Sequence, residues 1–434
     1  MNFSDSEIVT SVMTSHDYQN ADSAGEADVI FLNTCSIRDH AEQRVLNRLR
    51  ELQSLRRSKP ELIIGVLGCM AERLKESLLE EDTLGMRIDM VVGPDAYRDL
   101  PRLMLDAETG QKAVNVLLSA EETYADITPV RVAAGGVSAF VSIMRGCENF
   151  CSYCVVPYTR GKERSRNPES ILSEIRQLLR DGYREVTLLG QNVNSYRWRG
   201  EAGDASRDFP WLLEQVAGLD PSLRVRFATS HPKDLSDELL KAMARFPNCC
   251  RSIHLPVQSG STEVLLRMNR KYTREEYMER IGAVRRILPG CALSTDIICG
   301  FSGETEEDHR QTLSLMAWAG FDFAFMFKYS ERPGTPAEKK HPDDVPEADK
   351  ARRLEEVIRL QQQLSLRSNQ EDVGKVVEVL VEGPSRRSAS HVSGRNSHNK
   401  VVVFPDLGFR PGDYVRVEVT SCSSATLKGE ALQD

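Results

Sequence analysis

Apolar and polar positions along the chain fall into three successive patterns. From residue 1 to about 125, the apolar runs VIFLN (29–33), LIIGVL (62–67) and MVVG (90–93) alternate with charged stretches of helical period. That alternation predicts an α/β domain on a parallel sheet with crossover helices. Between 134 and 365 a strand followed by an amphipathic helix recurs six times. The strand candidates are SAFVSIM, REVTLLG, LRVRFAT, RSIHLPV, ALSTDII and FDFAFMF, with helices such as PESILSEIRQLLRDG and LSDELLKAMARF between them. Six β/α units predict a partial (β/α)6 barrel, smaller than the closed eight-unit form. ARRLEEVIRLQQQLSLRSNQ (351–370) predicts one long helix, after which the period changes to two. VVEVLVEG, VVVFP and YVRVEVTS predict a small β-barrel over 367–432.

No apolar run reaches bilayer-spanning length, and MNFSDSEIVTSVM has no basic segment leading into an apolar stretch. No membrane association is therefore expected, and the expected compartment is the cytoplasm. A net charge of −8 argues against non-specific nucleic-acid binding by the whole surface and leaves room for a local basic patch.

The ten cysteines, without a secretory segment, are expected as reduced thiols, and clustered ones point to metal or catalysis. MRGCENFCSYC sets Cys147, Cys151 and Cys154 within eight residues, directly after the first barrel strand. Three thiolates on one loop can bind three irons of a 4Fe-4S cube and leave the fourth open. An open iron can chelate S-adenosylmethionine and pass an electron into its sulfonium, yielding a deoxyadenosyl radical. A structural zinc site, the alternative, wants four ligands, and no His or Cys close in sequence completes one. Cys35 in NTCSIRDHAEQ and Cys69 in GCMAER follow the first two strands, at the sheet edge where open α/β folds bind ligands. Cys249, Cys250, Cys291, Cys299 and Cys422 lack such spacing and read as small apolar residues. His254, on the fourth barrel strand, reads equally as a cavity-lining or a core histidine.

MRGCENFCSYCVVPYTRGKERSR, LLGQNVNSY, SHP, HLPVQSGS, TDIICGFSGET and YSERPGTPA together resemble the methylthiotransferase family of radical S-adenosylmethionine enzymes across nearly the whole barrel. The resemblance implies two 4Fe-4S clusters: a reductive one on Cys147, Cys151 and Cys154, and a sulfur-carrying one on Cys35, Cys69 and a third cysteine. In relatives that third cysteine lies just before a Met-Asn pair, and this chain opens on MNFSDSEIV. The expectation is a start codon upstream of residue 1; the alternative is a cluster lacking one protein ligand, together with the first strand of its sheet. One S-adenosylmethionine would give its methyl to a cluster sulfur, and a second would supply the radical. Gln191 and Asn192 after the second strand, Gln258 and Ser259 after the fourth, and Asp296 and Gly300 around the fifth are candidate cosubstrate contacts, the glycine reading equally as loop conformation.

The last segment resembles a TRAM domain, especially in GRNSHNKVVVF. That implies RNA, and modifying a single base favours one splayed from a loop, such as the anticodon loop of tRNA. Arg395, Asn396 and Lys400 would contact phosphate or base edges and Arg386 and Arg387 would add backbone affinity; an ordinary solvated loop is the alternative. The family branch resembled implies conversion of N6-dimethylallyladenosine, next to the anticodon (position 37), to its 2-methylthio derivative. The other branches act on threonylcarbamoyladenosine in tRNA or on a ribosomal-protein aspartate. A non-catalytic RNA-binding protein held together by metal is the reading outside the enzyme class. An electron donor and a sulfur source are the further partners implied, and a monomer is the expected form.

Overall fold

The apolar runs of the first segment become strands, and the charged stretches between them become helices. The computed structural model describes residues 1–35, 39–80, 85–131, 136–200 and 206–432. Two compact units divide the chain: Met1–Ala134 with Ser142–Phe150 and Cys154–Ile171, and Gly135–Val141 with Cys151–Tyr153 and Leu172–Asp434.

In the first unit, helix α1 (Asn2–Thr14) precedes β1 (Val29–Thr34), α2 (Asp39–Leu55), β2 (Ile63–Gly68), the short α3 (Cys69–Leu74), β3 (Met90–Val92), a helix over Leu100–Glu108, and β4 (Ala113–Asn115). The sheet order is β1-β2-β3-β4, and its pairings are parallel. Strand side chains alternate between two cores, as a period of two requires. Ile63, Leu67, Met90 and Val92 join Ile8, Val12, Tyr97 and Leu103 on one face. Ile64, Val66 and Val91 join Leu49, Leu52 and Leu78 on the other. β2 is buried along its whole length, whereas β1, at a sheet edge, is mostly half-buried. The same unit includes a two-residue antiparallel pairing of Met144–Arg145 with Arg164–Ser165, and between these lies the helix Val156–Arg160.

In the second unit the six predicted barrel strands appear in sequence order. Ser138–Ser142, Glu185–Leu189 and Arg224–Ala228 form one sheet; Ser252–His254, Ala292–Cys299 and Phe323–Lys328 form the next. A parallel bridge from Val225 to Cys249 lies between the two sheets. The helices are capped locally. Ser236 accepts from Leu239 N ahead of Asp237–Arg245, and Thr305 with Asp308 forms a capping box ahead of Glu306–Ala319, which ends on the left-handed Gly320. Helix Glu347–Gln370 leads to a closed five-stranded barrel whose inward Val379, Val381, Val402, Phe404 and Val417 are those the alternating pattern marks as apolar.

Candidate active site

The parallel register of β1 and β2 pairs Thr34 with Gly68, so Cys35 and Cys69 are the next residues on neighbouring strands. Adjacent strands lie about 5 Å apart, which brings the chain entering Cys35 and the chain entering Cys69 together at the carboxyl edge of the sheet. Thr34 Oγ1 fixes this edge by donating to Leu67 O (2.6 Å) and accepting from Met70 N (3.2 Å). Gly68 has φ of 89°, and a Cβ there would come within 2.7 Å of Asn33 Oδ1 and 2.8 Å of Thr34 O. Only glycine allows the chain to turn from β2 into α3 at Cys69.

Cys69 is 5% exposed, and its Sγ accepts from Arg160 Nε at 3.2 Å. Arg160 Nη2 also donates to Asp5 Oδ2 at 2.6 Å, while Arg145 Nη1 reaches Asp5 Oδ1 at 3.0 Å. Arg164 and Arg145 share Asp95 at 3.0 and 3.5 Å. Burial alone would raise the Asp5 carboxyl, but Arg145 and Arg160 outweigh it and hold it below its ordinary value. Glu72, buried three residues after Cys69, goes the other way: burial pushes it up to about 7, the more distant Lys75 offsetting only part.

The loop of the other three cysteines begins on a second constrained glycine. Gly146 has φ of 79°, and a Cβ there would fall 1.8 Å from Lys162 O, so no side chain fits. Cys147 N then donates to Gly161 O at 3.1 Å. Cys154 stands two residues before the helix Val156–Arg160. Within the second unit, Cys151 Sγ accepts from Arg270 Nη1 at 3.3 Å. Arg270 is 4% exposed, and its other partners are Tyr272 OH (3.0 Å), Tyr153 OH (3.4 Å) and Pro256 O (2.7 Å), none of them a carboxylate. Neither arginine stands out in the sequence.

Among the described residues no group of three His, Cys, Asp or Glu side chains is arranged to hold a single metal ion. Iron-sulfur clusters make a different demand: each thiolate binds its own iron, and the anionic assembly is stabilised by donors to its sulfurs. Thiols on constrained loops, with a buried guanidinium donating to one of them, fit that demand in both places.

Around the barrel rim the candidate residues differ in how far their side chains are already engaged. Asn192 donates to Asp234 Oδ2 (2.6 Å) and accepts from His231 N (3.1 Å), so its amide holds two rim segments together. Ser259 is fully buried against Thr312. Gln258 has φ of 76°, and its backbone pairs with the fifth strand at Asp296 and Ile298. Asp296 lies 3.4 Å from His254 Nε2, whose Nδ1 meets Ser294 Oγ at 3.0 Å. Gly300 has φ of 75°, and a Cβ would strike the stem of Lys350 at 2.3 Å. Gln191 Oε1, in contrast, is buried without a partner, as are Ser230 Oγ, His231 Nε2 and both amide atoms of Asn194. His231 is held neutral: burial, then Arg270, Lys233 and Lys271, lowers it to about 2. Since its Nδ1 accepts from Lys233 N, the ring proton sits on the unpartnered Nε2. SHP marked a loop in the sequence, but nothing there signalled this buried donor.

The basic face of the last barrel also divides. Arg386 and Arg387 are exposed. Arg395 pairs with Glu382 at 3.2 Å, and its carbonyl accepts from Arg224. Asn396 is buried and caps its own turn by accepting from His398 N and Lys400 N. Lys400 Nζ is bound by Asp372 Oδ2 and Ser368 Oγ, both at 2.7 Å. The remaining cysteines behave as small apolar residues where burial is greatest: it pushes the thiols of Cys249 and Cys291 up to about 12 and raises those of Cys250 and Cys299. Among the described residues no helix is long and apolar enough to cross a membrane.

Family models match the chain in three places: the Radical SAM superfamily over residues 141–316, the Uncharacterized protein family UPF0004 over 1–93, and the TRAM domain over 370–432. Curated proteins named tRNA-2-methylthio-N(6)-dimethylallyladenosine synthase are similar along the whole length. The one from Bacteroides fragilis is 57% identical over 432 residues, covering 100% of this chain and 93% of its own. The one from Phocaeicola vulgatus is 58% identical over 433 residues, covering 100% and 94%. Among solved structures, the radical S-adenosylmethionine methyltransferase TsrM from Kitasatospora setae, with cobalamin and a 4Fe-4S cluster bound, shares the fold at a TM-score of 0.51. It is 15% identical, with 75% of this chain and 68% of that one covered. With full-length relatives at this identity and domain matches in this order, the chain belongs to the methylthiotransferase family of radical S-adenosylmethionine enzymes.

Proposed function

We propose that this chain methylthiolates N6-dimethylallyladenosine next to the anticodon of tRNA, using S-adenosylmethionine and two 4Fe-4S clusters. The observation that carries the reading is the 57–58% identity, over the full chain, to synthases of that name. Cys147, Cys151 and Cys154 hold the reductive cluster, and Cys35 and Cys69 supply thiolates to the sulfur-carrying one. Bound, the reductive cluster supplies the electron that cleaves S-adenosylmethionine, and the other supplies the sulfur. Arg270 holds the Cys151 thiolate in place by its hydrogen bond. Gln191, with Ser230 and His231, offers unpartnered polar atoms for the cosubstrate or the target base, whereas Asn192 braces the rim. The cosubstrate contacts of Gln258, Ser259 and Gly300 rest on their places after the fourth and fifth strands, and that of Asp296 on its place within the fifth. Arg386 and Arg387 meet the tRNA backbone, with Arg395; Asn396 and Lys400 shape that surface from within. The enzyme works as a cytoplasmic monomer with an electron donor and a sulfur source as partners.

Mass spectrometry of tRNA nucleosides from a strain lacking this gene tests the reading. The expected result is loss of the 2-methylthio mark on dimethylallyladenosine and its return with the gene. Survival of that mark, with loss of the mark on threonylcarbamoyladenosine or on the ribosomal-protein aspartate, overturns it.

A further inference from the structure

The buried charges beside Cys69 do not balance. Arg145, Arg160 and Arg164 are 1%, 3% and 6% exposed, and the carboxylates that answer them are Asp5 and Asp95, at 0% and 8%. Three guanidinium groups, with the Met1 amino group also beside Asp5, against two carboxylates leave at least one positive charge in an environment where an uncompensated ion is costly. Glu72 is near Asp95, but burial holds much of it protonated near neutrality, and the cation it faces is Lys75 at 4.0 Å. The remaining side-chain acceptor that this cluster of charges reaches is the Cys69 sulfur, on Arg160 Nε.

Arg160 also keeps a donor in reserve. Its Nε goes to Cys69 and its Nη2 to Asp5, while Nη1 is buried with no partner. A buried donor left unmade costs about 1–3 kcal/mol, so its retention beside a ligand thiol points to an acceptor at that place. The position of Arg160 in the chain adds a second property. It is the last residue of the helix Val156–Arg160, which begins two residues after Cys154, so the segment that leaves the reductive loop ends on a donor to the Cys69 thiol.

We propose that Arg160 is the positioning residue of the sulfur-carrying cluster. Its guanidinium fixes the Cys69 thiolate, offers Nη1 to a cluster sulfur, and supplies the surplus positive charge that stabilises the reduced, more anionic state. This rests on the assignment of Cys35 and Cys69 made under Proposed function. Donors to cluster sulfurs and local positive charge both raise a cluster's potential, so losing Arg160 lowers it.

The test uses the full chain, reconstituted anaerobically, in a Cys147→Ala, Cys151→Ala, Cys154→Ala background that leaves the second cluster alone. Its midpoint potential is read by redox titration under electron paramagnetic resonance. Arg160→Met is expected to move the potential to a more negative value, and Arg160→Lys, which keeps the charge but cannot span Asp5 and Cys69, to recover part of the shift. Asp5→Asn, which keeps the contact with Cys69 but removes one of the two carboxylates, is expected to move the potential the opposite way, to a less negative value. With the reductive cluster intact, Arg160→Met is expected to lower methylthio product by about 10–100-fold, while deoxyadenosine release stays within about twofold. An unchanged potential in a fully loaded Arg160→Met protein overturns the proposal. Should that variant fail to fold, Arg160→Gln, which removes the charge and keeps a polar amide beside Asp5, is judged by the same potential. Iron that stays bound when Cys35 and Cys69 are also replaced by Ala in that background overturns the assignment of those two thiols itself, a distinguishable result.

Discussion

The two cysteine sites share a local plan and differ in their electrostatics. In each, a glycine with positive φ and no room for a Cβ stands directly before a cysteine: Gly68 before Cys69, Gly146 before Cys147. In each, a buried arginine donates to one thiol, Arg160 to Cys69 and Arg270 to Cys151. Arg160, however, belongs to a network with Asp5, Asp95, Arg145 and Arg164, while Arg270 is held by two tyrosine hydroxyls and a carbonyl. A buried cation whose other partners are neutral has no carboxylate beside it to answer its charge, whereas one in an ionic network has its charge largely answered there. Two sites built from the same parts thereby differ in the charge that surrounds the thiol, which fits the different work proposed for them above.

The largest expected effect separates the sites outright. Replacing Cys147, Cys151 and Cys154 together with Ala should end deoxyadenosine release and remove about four irons per chain, because each cube holds four. Iron loss to near zero would show that the sites do not load independently. A smaller effect is expected from Arg270→Met, which should reduce deoxyadenosine release by about 10–100-fold, with partial rescue in Arg270→Lys. An unchanged rate there would remove the guanidinium from the comparison.

Smaller still are the effects on the RNA face, which sort exposed from committed cations. Arg386→Ala with Arg387→Ala should weaken tRNA binding and make the salt dependence shallower by about one to two units of slope, measured as affinity against ionic strength. Lys400→Met should instead lower stability by roughly 1–3 kcal/mol in denaturant melts, because it leaves Asp372 without its half-buried partner. The smallest effect is a pH dependence at the sulfur-carrying site. Glu72 rises from about 4.5 unfolded to about 7 folded, so the folded state binds the extra proton and stability falls as pH climbs through that window. Glu72→Gln should flatten the fall by about 1–3 kcal/mol across pH 5 to 8, read from melts of the cluster-free protein.

What the sequence made legible follows from what is local. Six barrel strands, the period-two barrel and the strand-end places of Cys35 and Cys69 are properties of neighbouring residues, and the structure has all of them. The glycines before Cys69 and Cys147 were visible as letters, but their need for positive φ is set by contacts with Thr34 and Lys162. The arginines were not legible as site residues because their contacts are distant in sequence: Arg160 meets Cys69 across 91 positions, Arg270 meets Cys151 across 119. The same distance hid the engagement of Asn192 by Asp234 and of Lys400 by Asp372. Composition shows a polar side chain, and only packing shows whether its hydrogen bonds are already made.

The central claim is that the two cysteine sites do separate work in one reaction, and the most direct measurement is made on a Cys35→Ala, Cys69→Ala variant incubated with tRNA, S-adenosylmethionine and a reductant. Deoxyadenosine and 2-methylthio nucleoside are quantified in the same sample. Continued deoxyadenosine release with no methylthio product is the expected result. Methylthio product at the parent level would contradict it.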